Sequence, residues 1–150
     1  MQDDNLTFRK YVNSDCNSCL SLFDQNCPKF FAENERTDFE EYLSTSCEHY
    51  EVGIRANEVV AAFGFSSDLG TGRGRISWIM VSPFIQGGDV GSRIMNRVLE
   101  LAKGCQVAVI DIAASHISAP FFAKFGAKEV KITQDGWGLG MHKVDMELLL

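Results

Sequence analysis

The sequence has 150 residues, 45% of them apolar and 23% charged, which suits one globular domain over residues 1–150 rather than a disulfide scaffold, a collagen-like repeat or a disordered tail. A chain of this size buries roughly 70% of its unfolded surface, enough for a core without metals or disulfides. Fourteen basic against twenty acidic side chains leave a net charge of −6, which argues against nucleic-acid binding.

The run LTFRKYV, residues 6–12, predicts a first strand. Ser14 or Asp15 is placed to cap a helix carrying Cys16, Cys19, Leu20 and Phe23 at helical spacing, and Asn26 and Pro28 stop it. A second helix over residues 35–43 aligns Phe39, Tyr42 and Leu43 on one stripe. YEVGIR and EVVAAFGF read as two strands joined at Ala56-Asn57, where asparagine suits a tight hairpin. The glycine-rich SDLGTGRG is expected to be a loop before the strand RISWIMVS. After the turn SPFIQGGDVGS, apolar residues recur at helical spacing over 90–103, and Lys103-Gly104 resembles a helix stop. QVAVIDIAA has the continuous apolar character of a strand buried on both faces. A short helix over 119–125 ends at Gly126, and the strands AKEVKIT and HKVDMEL flank a QDGWGLGM turn. The order β-α-α-β-β-β-α-β-α-β-β implies an α/β fold with a mixed sheet.

The informative stretch is the strand, glycine-rich loop and amphipathic helix of residues 78–103. A helix N-terminus offers unpaired N–H groups and a positive dipole end, and glycine lets backbone approach a ligand closely. That arrangement suits phosphates. The patterns GxxxxGK[ST] and GxGxxG are both absent, which disfavours a kinase or a Rossmann oxidoreductase.

Here the chain resembles the GNAT superfamily of acyl-CoA-dependent N-acyltransferases. The family's pyrophosphate motif, Q/R-x-x-G-x-G/A, reads Gln86-Gly87-Gly88-Asp89-Val90-Gly91, followed by Ser92, with Val81 and Pro83 in the expected strand end. SAPFFAKFGAKEV, residues 118–130, is similar to the second cofactor segment, and DGWGLGMHKVDMEL to the closing hairpin. Asn26, Pro28, Phe31, Glu35, Arg36, Phe39 and Leu43 resemble the acceptor-side helices of small bacterial members. The resemblance implies a mostly antiparallel central sheet with helices on both faces, and acetyl-CoA as cosubstrate. It also implies that the backbone at Met80 and Val81 holds the pantetheine arm in a gap opened by a β-bulge. Amides of Gly87 to Ser92 would hold the pyrophosphate, and Ser118, Phe121 and Phe122 would lie along the arm. The implied reaction is direct acetyl transfer to a primary amine of a small molecule or peptide.

Two positions depart from the family pattern. Asp89 replaces glycine, so its carboxylate either caps the helix or repels phosphate and weakens CoA binding. Phe122 stands where many members carry the tyrosine that protonates the leaving thiolate, and Ser118 or water could substitute. These departures motivate the alternative of a non-catalytic acyl-CoA-binding or sensing module. Glu33 and Glu35 are the candidate bases for the amine, although Glu35 could simply complement a helix dipole. Asp111, on the buried central strand, is a further carboxylate of interest, expected to have a structural partner. Trp137 either caps the core or walls the acceptor pocket.

Cys16-x-x-Cys19 lies on an apolar stripe and no second paired cluster completes a zinc set, so no metal is expected. Histidines 49, 116 and 142 form no ligand pattern, and no G-x-S-x-G elbow exists. No apolar run reaches the roughly 20 residues of a membrane span. The polar start and odd cysteine count predict reduced thiols in a cytoplasm. The expected assembly is a monomer or homodimer. Of the charge, four basic and ten acidic residues fall in the first fifty, and ten of each in the rest. That acidic first third favours a cationic acceptor.

Overall fold

Residues 5–85 and 89–150 are described by a computed structural model. In chain order they form β1 (Thr7–Lys10), α1 (Cys16–Gln25), α2 (Glu35–Thr45), β2 (Tyr50–Arg55), β3 (Glu58–Asp68), β4 (Arg73–Val81), α3 (Val90–Gly104), β5 (Val109–Ser115), α4 (Ala119–Ala123), β6 (Lys128–Gly138) and β7 (Met141–Leu149). The order is the expected one, with short 3-10 turns at 13–15 and 47–49. Ala56 and Asn57 have φ of +52° and +64°, the left-handed pair that matches a two-residue hairpin to strand twist.

The strands make one sheet in the order β1-β2-β3-β4-β5-β7-β6. Each neighbouring pair is antiparallel except β4 with β5, which the α3 crossover makes parallel. Alternate side chains feed two cores. Phe63 and Phe65 of β3 join Ile94, Met95 and Val98 of α3 and Phe122 of α4. Ala62 of β3 joins Leu22 and Phe23 of α1 and Phe39 and Leu43 of α2. Helices therefore cover both faces. Fully burying a side chain such as Phe23 or Phe39 contributes about 2–3 kcal/mol. No helix among the described residues is long and apolar enough to cross a membrane.

Several boundaries differ from the sequence expectation. β3 and β4 run into the glycine-rich stretch and leave only residues 69–72 as loop, with Gly72 at φ +69°. β6 likewise extends to Gly138, so Trp137 lies in a strand and the tip is only residues 139–140. β5 is not buried on both faces. Ile110, Ile112 and Ala114 are buried, while Val109, Asp111 and Ala113 are half-buried on the opposite side. The small, apolar alanines imitate a buried strand, but Val109, Asp111 and Ala113 belong to neither core cluster.

Candidate active site

The site begins at an irregularity in β4. Ala62 pairs with Met80 and Gly64 with Ser77, so Phe63 faces two residues, Trp78 and Ile79. Trp78 has φ +47°, a conformation that a bulky side chain adopts only when its surroundings impose it. The Tyr50 hydroxyl donates to the Trp78 carbonyl oxygen at 2.6 Å. The indole packs against Phe39 and Phe31, with ring centroids 5.1 and 6.1 Å away. Buried Asn26 donates through Nδ2 to Leu22 O at 2.8 Å and Val81 O at 3.0 Å, fixing the strand end.

Just before this bulge β4 leaves its neighbour β5. Pairing with β5 stops at Ile76 and Ile112, although the strands continue to Val81 and Ser115. The gap opens into a cavity of about 600 Å³. Met80, Val81, Ala113 and Ser115 line it along the strands. From the α3–α4 face come Val90, Gly91, Ser118, Phe121 and Phe122. From the α1–α2 face come Phe31 and Glu35, with Trp137 of the β6–β7 hairpin.

Glu35 is 5% exposed and accepts the Ala32 amide at 2.7 Å. Burial pushes its carboxyl up to about 7; the Ala32 bond opposes the rise and Asp38 adds to it. Glu33 is exposed and is not in the wall. Ser118 and Ser115 interlock. Each amide donates to the other's hydroxyl oxygen at 3.1 Å, and the hydroxyls are 3.0 Å apart. Trp137 donates from Nε1 to Ala114 O at 2.9 Å, and its carbonyl accepts Asn34 Nδ2 at 2.9 Å. Trp137 is thus a wall of the cavity, and Asn34 ties the α1–α2 loop to the hairpin.

Gln86, Gly87 and Gly88 lie outside the described residues. Ser92 is exposed on the first turn of α3. Asp89 occupies the N-cap position but makes no side-chain cap bond. Its Oδ1 instead meets Arg55 Nη2 at 3.4 Å. The capping expectation fails because this guanidinium, from the end of β2, offers a charged partner. Sequence reasoning missed Arg55, since 34 residues separate the pair. Gly91 has a steric reason apart from phosphate, because a Cβ there would lie 2.9 Å from the Phe121 ring. Asp111 is half-buried rather than buried, and it has the structural partner expected of it. It takes two bonds from Arg73, at 2.6 and 3.0 Å, which hold its carboxyl below the usual range. Arg73 also pairs with Glu147. Cys19 is a core residue whose thiol burial pushes up to about 12.

The family described as Acetyltransferase (GNAT) family matches residues 16–127. No curated protein matches the sequence. Ard1 from Thermoplasma volcanium is similar in structure, with TM-score 0.79, 15% identity and 97% of each chain covered. Rv2747 from Mycobacterium tuberculosis, in complex with CoA, gives 0.71 at 20% identity over 96% of this chain and 99% of that one. The ribosomal-protein-S18-alanine N-acetyltransferase from Escherichia coli gives 0.76 at 14% identity, over 97% and 94%. Likeness at these identities speaks for the fold.

Proposed function

The chain belongs to the GNAT acetyltransferase family, and on that premise we propose that it moves an acetyl group from acetyl-CoA directly to a primary amine of a small molecule or peptide. The observation that carries this reading is the gap beyond Ile76 and Ile112, with the start of α3 on one side and a buried carboxylate on the other. The pantetheine arm lies between Met80-Val81 and residues 113–115. Amides of the turn at 87–92 hold the pyrophosphate, as helix N-termini do, and Phe121 and Phe122 pack along the arm.

The amine nitrogen attacks the thioester carbonyl carbon. A C–N bond forms, the C–S bond breaks, and sulfur leaves with the electron pair. Glu35, ionised, takes the proton from the amine; a carboxyl near 7 suits that exchange at neutral pH. Phe122 has no proton to give. A thiol with pKa near 8.5 leaves tolerably as thiolate, and Ser118 or a water then protonates it.

Thiol release from acetyl-CoA with a panel of primary amines and short peptides tests the reading. Amine-dependent release supports transfer. Saturable acetyl-CoA binding with no release to any amine favours the binding-module alternative.

A further inference from the structure

Of the described acids in the first fifty residues, Glu35 alone lines the cavity. Asp15 is held by Arg9, and Asp24 and Glu40 by Arg36. The ionisable side chains in the wall are Lys29, Glu35 and Arg75. With Glu35 assigned to the amine, what remains is positive.

Arg75 and Ser77 stand two residues apart on β4, so they share one face of the strand, opposite the buried Ile76. Both line the cavity. On that face Arg73 occupies both oxygens of Asp111 and also pairs with Glu147, and Asp145 pairs with Lys143. Arg75 acts on Asp111 only as a nearby charge. Among the described residues, the Arg75 and Ser77 side chains make no hydrogen bond or ion pair. Their position is also informative. The gap closes at Ile76 and Ile112, so Arg75 lies just past its vertex. A thioester seated toward that vertex is within two or three strand residues of Arg75, roughly 7–10 Å at 3.3 Å per residue. An arginine side chain spans most of that distance, and its planar fork matches a carboxylate bidentately.

We propose that the acceptor is an amine that also carries a carboxylate, on an apolar body held by Phe31, Trp78 and Trp137, and that Arg75 with Ser77 grips the carboxylate. This rests on the transferase reading above and stands as the alternative to the cationic acceptor suggested by net charge.

The protein supplies its own probe. Its two tryptophans, Trp78 and Trp137, both line the cavity, so intrinsic fluorescence reports acceptor binding separately from turnover. Phenylalanine and leucine are titrated against phenethylamine and isopentylamine on CoA-saturated protein, and the same pairs are assayed for thiol release from acetyl-CoA. Each acid should bind at least tenfold more tightly than its decarboxylated partner. Arg75→Gln should collapse that ratio toward one, and Arg75→Lys should restore part of it. Equal or tighter binding of the amines overturns the proposal, as does a ratio unchanged in Arg75→Gln. Arg75-dependent binding of the acids with no thiol release supports the carboxylate site while overturning the transferase reading. Release with phenethylamine but not phenylalanine keeps the transferase reading and overturns the carboxylate site.

Discussion

Replacing Glu35 by glutamine should make the protein more stable and less active, in a way that depends on pH. The side chain is buried, and its carboxyl is raised from 4.5 to about 7. An acid raised on folding supports the fold while neutral. Its contribution is complete below pH 4.5 and is lost as pH climbs through 7. Linkage sets the ceiling at about 3 kcal/mol, since a tenfold change in proton affinity between folded and unfolded chains is worth about 1.36 kcal/mol. Glutamine stays neutral and can still accept the Ala32 amide. Wild type and Glu35→Gln should therefore unfold alike at pH 4 to 5. At pH 8 the variant should gain about 2 kcal/mol, because part of the ceiling is lost with the charge-assisted bond. For 150 residues that is roughly 4–8 °C in Tm by calorimetry. Turnover should fall about 10²–10⁴-fold, and the rising limb of kcat/KM near pH 7 should vanish. A Tm difference that does not change between pH 5 and pH 8 would refute the buried-acid argument. A variant that keeps the limb would remove Glu35 as the base.

Phe122→Ala should cost about 3 kcal/mol in urea denaturation, because Phe122 is 3% exposed and belongs to the α3–α4 core as well as the cavity wall; a loss confined to CoA affinity would contradict that placement. Asn26→Ala should cost about 2 kcal/mol by the same measurement, since it unties the Leu22 and Val81 carbonyls, which then lose their amide donor inside the protein. Asp89→Ala should change stability by about 0.5 kcal/mol or less, against about 1 for a lost cap, and should tighten CoA binding by calorimetry because Arg55 is freed toward the phosphates. Unchanged affinity there would show that neither repulsion nor Arg55 matters.

What the sequence made legible was whatever local periodicity encodes. The stripe of Val90, Ile94, Met95, Val98 and Ala102 on α3 is buried as its spacing predicts, and Ala56-Asn57 turns as its residue types predict. Glu35 stands out through the acceptor-side resemblance, while its depth depends on the Ala32 amide folding back over it. The bulge at Trp78 leaves no local trace, because WIM reads as ordinary strand. It is imposed by Tyr50, Phe39 and Phe31 from other elements. Asp89 fails as a cap because it meets Arg55, while Asp111 has the structural partner expected of it, Arg73, on a half-buried face; neither arginine was legible, because long-range ion pairs have no periodicity to read.

Among the described residues seven strands share one sheet, yet four residue pairs, from Arg73 with Val109 to Ile76 with Ile112, join β4 to β5 and so its two halves. Mechanically these are two wings on a short hinge, with β1 to β4 on one side and β5, β7 and β6 on the other. Gly74 sits inside the hinge with no space for a side chain, since a Cβ would lie 2.7 Å from the Phe65 ring. Anything seated in the opening touches both wings and acts as a clamp where the ladder is missing. Filling the opening should stiffen the molecule as a whole, and emptying it should let the wings rock about those four pairs.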